Sequence, residues 1–322
     1  MTKVGLVLGA GGVVGQAYHA GVLAVLEHDY GFDARDADII VGTSAGSITG
    51  TLLRFGVSSG DLAAWTVKAP LSGTGDFVRQ MADLPDPEFA PLRPLDLLLR
   101  PMRLPGPHMV RRALTRPWHF RPLAAGLALL APGEHDIVAQ LGALRELEKS
   151  SWPDRDLWIC AVRRRDGQRV VFGRPGSPPA PIHLAMAASC AVPGYFAPVR
   201  IGDRSYVDGG IHSPTSAAIL RGQDLDLVVV VSPMSGPPGW SLSLPAASRR
   251  HSARLLHREV RALERTGVEV LIFAPGRAEQ EAMGDDMMSR ERLNEVIQQS
   301  FLRAGARAAG SRARRLLRLA AG

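Results

Sequence analysis

The sequence predicts an α/β fold, on three observations. Two short apolar segments, V-G-L-V-L at 4–8 and I-I-V-G-T at 39–43, each run into a glycine-bounded turn and then a helix-like stretch. Two later apolar runs, L-V-V-V-V at 227–231 and V-L-I-F at 270–273, have the length of buried strands and complete a sheet. With 322 residues, 46% of them apolar and 21% charged, the chain can bury a large core as one domain, with or without an insertion.

The first strand leads into Gly9-Ala10-Gly11-Gly12-Val13-Val14-Gly15 and a helix through Glu27. A glycine-rich turn between strand and helix exposes backbone N–H groups around a concavity suited to an anion. Gly9, Gly11 and Gly15 could cradle a dinucleotide, with Asp33 or Asp36 as ribose partner, or the turn could serve as an oxyanion hole for a nearby nucleophile. In a purely structural reading the glycines only allow close packing. The second unit favours the oxyanion hole. Its turn, Gly42-Thr43-Ser44-Ala45-Gly46, has the G-x-S-x-G spacing of a nucleophile elbow. Gly42 and Gly46 let strand and helix approach, while Ser44 is held out in a strained backbone conformation at a helix N-terminus.

After the elbow helix (45–55) and a short helix near 61–65, residues 70–132 are rich in Pro, Leu and Arg; 91–132 holds seven arginines against one acid, Asp96. Prolines this dense limit the segment to short helices and turns, and it reads as an insertion capping the site. Its leucines, methionines, Trp118 and Phe120 beside arginines suit an anionic membrane interface through 91–121, or a solvated cap with an apolar underside. Residues 134–148 read as an amphipathic helix, and 157–162 with 169–172 flank Asp166-Gly167 as a hairpin. A helix at 182–191 runs into A-S-C-A-V-P-G-Y-F-A-P-V at 188–199, and Tyr206-Val207 leads into Asp208-Gly209-Gly210, by itself an ordinary turn signal. The last third offers a basic amphipathic helix at 248–266 and a helical segment from 289, basic over 303–318, which could dock on an anionic membrane or be a solvated face.

No apolar run reaches the roughly 18 residues needed to span a bilayer. The N-terminus enters a strand pattern at once, so a cytoplasmic location, with or without a peripheral membrane contact, is expected. Cys160 and Cys190 are too few for a disulfide framework and lack metal spacing, and read as small core residues. Asp285-Asp286 is too sparse for a metal site, so the expectation is no metal and no cofactor. The formal charge of +7 favours anionic partners, lipid headgroups before nucleic acid.

Taken together, the glycine-rich turn, the G-x-S-x-G elbow, A-S-x-A-x-P-x-x-F-x-P-V and a late D-G-G, in this order, resemble the patatin-like phospholipase family. The resemblance implies a three-layer α/β/α sandwich with a mainly parallel sheet. It also implies a lipid or ester substrate, Ser44 as nucleophile, and Asp208 as its partner in a two-residue dyad that requires no histidine. Gly11 and Gly12 become the oxyanion-hole donors, with Gly9, Gly15, Gly42, Gly46, Gly209 and Gly210 shaping the turns. One position departs from the family pattern: Val14 stands where an Arg or Lys usually precedes the last glycine, which puts rate and headgroup preference in question. An arginine of the capping segment could replace that cation. A Ser44, Asp208, His212 triad is formally possible, but His212 is so close in sequence that it would have to fold back over its own turn. His19 and His183 read as structural. A serine lipid acyl hydrolase is the leading expectation; a transacylase using the same acyl-serine, and a catalytically silent lipid- or nucleotide-binding protein, are the alternatives.

Overall fold

The computed structural model describes residues 2–72, 100–141, 151–237 and 244–321. Strand β1 (Val4–Leu8) feeds helix α1 (Gly12–Tyr30), and β2 (Ile39–Thr43) feeds α2 (Ala45–Arg54), followed by α3 (Ser59–Thr66). The arginine-rich segment, described from residue 100 onward, contributes α4 (Pro107–Thr115) and α5 (Pro122–Ala128). Each begins on a proline, where the missing N–H costs nothing. Then come α6 (Ile137–Gln140), the hairpin β3 (Asp156–Arg163) and β4 (Gln168–Phe172), α7 (Ile182–Cys190), the short pair β5 (Val199–Ile201) and β6 (Arg204–Asp208), and β7 (Leu227–Val231). The chain closes with α8 (Leu244–Glu264), β8 (Glu269–Phe273), α9 (Arg277–Met283), α10 (Leu293–Ala308) and α11 (Ser311–Ala321).

The sheet is mainly parallel. β1 lies between β2 and β7, β8 lies outside β7, and β2 continues onto β3, all in parallel register. β4, β5 and β6 add an antiparallel edge. Every residue of β1, β2 and β7 is buried, as continuous apolar runs require when helices cover both faces. On one face Leu6, Leu8 and Ile40 pack with Leu23, Leu52 and Val296 of the covering helices. On the other, Val7, Val41 and Val230 pack with Leu256, Val260 and Leu263 of α8. This is the three-layer sandwich expected from the motifs.

Two helices differ from the expectation. The 134–148 helix is, in its described part, a four-residue turn whose N-terminus is capped by the Asp136 carboxylate; the rest, 142–148, lies outside the described residues, as do 73–99 of the expected insertion. The long helix expected from 289 starts at Leu293 and divides at Ala309-Gly310 into α10 and α11. The break lets α11 turn and bury Leu316 and Leu317.

Candidate active site

The register of β3 brings the expected nucleophile and acid together. β4 covers one edge of β3 over 159–163, so the other edge is shared: β2 pairs with 156–160 and β6 with 161–163. β2 runs parallel to β3 and β6 antiparallel, so the two meet head to head. Thr43, the last residue of β2, pairs with Cys160, and Asp208, the last of β6, pairs with Ala161. Ser44 and Asp208 are thus juxtaposed by strand pairing alone, with the Ser44 hydroxyl near enough to the Asp208 carboxylate to favour its charged form.

Each member is held locally. Ser44 has φ 52° and ψ −122°, a conformation costing about 1–3 kcal/mol for a residue with a side chain. The glycines around it leave no alternative: a Cβ on Gly46 would lie 1.9 Å from the Leu8 carbonyl oxygen, and one on Gly42 2.6 Å from that of Gly46. Asp208 accepts from the Gly210 N–H at 2.6 Å, and a Cβ on Gly209 would lie 2.2 Å from the Cys160 carbonyl oxygen, which explains why two glycines follow the acid. Asp208 is buried. Burial pushes its carboxyl up to about 6, outweighing the nearby Ser44 hydroxyl and the Gly210 N–H, which favour the charged form.

The glycine-rich turn closes the third side. Gly15 abuts Ala45, and Gly210 abuts Ala10: a Cβ added to either glycine would contact the neighbouring alanine Cβ at 3.7 and 3.2 Å. The N–H groups of Gly9, Ala10 and Val14 are taken by carbonyls of Val231, Pro214 and Met287. Those of Gly11, Gly12 and Val13 have no acceptor among the described residues, so the turn offers three free donors where the motif named two. Val13 carries no motif signal; its amide is free because it stands in the first turn of α1.

The family model of patatin-like phospholipases matches residues 6–220. The chain belongs to the patatin-like phospholipase family. No curated protein matches it. Among solved structures, the crystal structure of VipD from Legionella pneumophila is similar at 13% identity with a TM-score of 0.44, over 95% of this chain and 67% of that one. Family membership supports lipid acyl hydrolysis in general terms, and the matched span contains both glycine turns, Ser44 and Asp208.

Two residues of this patatin-like site escaped the sequence reading. Ser189 is fully buried; its hydroxyl accepts the Ser44 N–H at 2.8 Å and donates to the Cys160 carbonyl at 2.7 Å. It ties the elbow to β3 and engages the Ser44 amide. Cys190 is more than core filling: its thiol lies 3.7 Å from Ser47 Oγ and borders Ser44 and Asp208. Burial, aided by the Asp208 charge, pushes that thiol up, so it stays protonated and unreactive. The serine of the A-S-C-A stretch was visible as part of a motif, but its partners lie 145 and 29 positions away.

The remaining expectations resolve by position. Asp33 pairs with Arg35 and Asp36 with Arg155. Both precede β2, so they lie at the end of the sheet opposite the glycine turn and cannot serve a ribose there. His19 is fully buried, with Nδ1 3.2 Å from Thr49 Oγ1 where α1 packs on α2, and burial pushes it down to about 3. His212 is held neutral by burial and by Arg169, Arg121 and Arg112. Among the described residues its Nδ1 is buried with no hydrogen-bond partner and its ring bonds neither Ser44 nor Asp208, so the structure gives the triad reading no support. Val14 is buried in the core and brings no charge to the turn. Of the arginine-rich segment, Arg121 reaches the stretch after Asp208, donating to the His212 carbonyl at 3.2 Å.

Proposed function

We propose that the protein hydrolyses carboxylic esters of lipids through Ser44 and Asp208. The reading rests on one observation above the others: a serine at a strained strand-to-helix turn set beside a buried carboxylate by the register of β3. Ser44 Oγ attacks the ester carbonyl carbon as its proton passes to Asp208. The carbonyl oxygen becomes an oxyanion received by the N–H groups of Gly11 and Gly12. Collapse breaks the bond to the alcohol, which leaves with the proton from Asp208 and an acyl group on Ser44. Water, deprotonated by the same carboxylate, attacks that acyl carbon; collapse breaks the bond to Ser44 Oγ, which takes the proton back from Asp208, and the fatty acid is released.

A carboxylate is a weak base toward a hydroxyl, and two features offset this. Burial raises Asp208 toward neutrality, and each oxyanion donor contributes about 3–4 kcal/mol to the transition state. Incubation with a fluorophosphonate probe, followed by hydrolysis of a lipid-ester panel, tests the assignment. The wild-type chain is expected to label once, at Ser44, and to release fatty acid, while Ser44→Ala does neither. Undiminished hydrolysis by Ser44→Ala would end the proposal.

A further inference from the structure

We propose that the face built by residues 102–123 docks on the surface of an anionic phospholipid bilayer, presenting the Ser44 site to it; this deepens the lipid-ester reading and rests on it. Nine large apolar side chains are exposed among the described residues, and six of them fall in this stretch: Met102, Leu104, Val110, Leu114, Trp118 and Leu123. Leu104, Trp118 and Leu114 are 91%, 83% and 77% exposed. Val110 and Leu114, four positions apart, share one side of α4, whose opposite side buries Met109. Exposed apolar groups gathered on one face mark a docking surface.

Charge selects the partner. From residue 100 to 133 there are six arginines and no acid. Arg100 pairs with Glu134 and Arg121 is held on the His212 carbonyl. Arg103, Arg111 and Arg116 are exposed and have no acidic partner among the described residues. Exposed leucines and a tryptophan interleaved along the segment with exposed arginines match a surface of phosphates over hydrocarbon.

Position agrees. The segment packs at the end of the sheet where β2 and β6 stop: Gly167, beyond the tip of β3, lies against Ala125, and Arg121 contacts the turn after Asp208. The other basic stretch, 303–318, cannot share this task. It lies where the parallel strands begin, with Tyr30 on the Gly305 carbonyl and Arg312 paired to Glu269, and Arg307 is paired to Glu279. A single membrane contact that includes the site therefore uses the 102–123 face and leaves 303–318 in solvent.

Sedimentation of the full chain with phosphatidylcholine vesicles, with and without phosphatidylglycerol, tests the proposal. The wild type is expected to sediment with the anionic vesicles and to be released by salt. Arg111→Gln/Arg116→Gln should bind them roughly thirtyfold more weakly, the effect of two guanidinium groups at an anionic surface. Leu114→Asp/Trp118→Asp should lose vesicle binding while hydrolysing a water-soluble short-chain ester at the wild-type rate, which shows it folded. Three results would each overturn the docking proposal: equal sedimentation with both vesicle types, wild-type binding by the Leu114/Trp118 variant, or self-association through this face with no vesicle binding. Failure of the catalytic reading shows differently, as no soluble-ester hydrolysis by the wild type whatever the vesicles do.

Discussion

The two strand-turn-helix units at the centre of the sheet have the same architecture and opposite chemistry. In β1–α1 the turn carries no functional side chain, and the amides of Gly11, Gly12 and Val13 have no acceptor among the described residues. In β2–α2 the turn carries one side chain, Ser44, and its amide is already engaged by Ser189. One unit presents backbone donors and the other the proposed nucleophile. The difference comes from where each glycine sits. In the first turn Gly12 is at positive φ and the backbone itself turns outward; in the second the positive φ falls on Ser44, flanked by glycines that make room for it. The proposed hydrolysis, which needs both a nucleophile and a charge-receiving cradle, would draw them from two copies of one local fold.

Removing the acid that serves only the second unit should have the largest effect. Asp208→Asn keeps an acceptor for Ser44 and Gly210 but no base, and kcat is expected to fall about 10³-fold or more. The wild-type rate should fall on acidification with a midpoint near pH 6, because the carboxyl must be ionised to act and burial pushes it up to about 6. Stability moves the other way. The folded pKa lies above the unfolded value of 3.8, so the favourable contribution of the protonated group is complete below that value and is lost as pH rises through about 6. The buried charge then costs up to roughly 3 kcal/mol, which Asn does not incur. Thermal unfolding should therefore show Asp208→Asn more stable than wild type at pH 8, with the gap closing toward pH 4. A variant less stable at pH 8 than at pH 4, relative to wild type, would contradict this account of the site.

The first unit is tested at Gly12, where φ is 61° and a Cβ would fall 2.4 Å from the Met287 carbonyl oxygen. Gly12→Ala must displace either the turn or the 287–288 segment, and losing one proposed oxyanion donor is expected to lower kcat about 10²- to 10³-fold. Gly202→Ala is the control: φ is 60° there too, but no atom lies within 4 Å of the added Cβ. It should cost local strain only and leave kcat alone. Equal loss of kcat in both variants would mean the free amides of the first turn play no special part.

Much of this was legible in the sequence, for physical reasons that also mark where legibility stops. β1, β2 and β7 are buried on both faces, so their apolar runs had to be continuous and could be read directly. Gly42, Gly46, Gly209 and Gly210 answer to contacts within a turn or across one strand, and such constraints leave short motifs. The shape of α10 and α11 was not readable, because a helical period continues through Ala309-Gly310 while burial of Leu316 and Leu317 decides the break. Nor was the cover that Met287 lays on Gly12, which joins positions with no shared pattern. The arginine-rich segment showed its composition at once, but its end of the sheet emerged only from Arg121 on His212 and Gly167 on Ala125.

Ser189 gives the smallest effect and the sharpest test of the contrast between the units. Replacing it with alanine leaves the Ser44 N–H buried without its acceptor, a loss of about 1–3 kcal/mol in stability. It also releases the tether between the elbow and β3, so the peptide before Ser44 can relax from its strained φ and carry the hydroxyl off the Asp208 carboxylate. The second unit would then keep its serine with the side chain poorly placed. Fluorophosphonate labelling of Ser189→Ala is expected to slow about tenfold, with kcat falling in step and KM unchanged, since one misplaced contact in the transition state costs about this much. A purely structural role predicts something else: a lower melting temperature with the labelling rate of the folded fraction intact. Only a slower rate at full folding would show that the amide of the nucleophile must be occupied for its hydroxyl to be well placed.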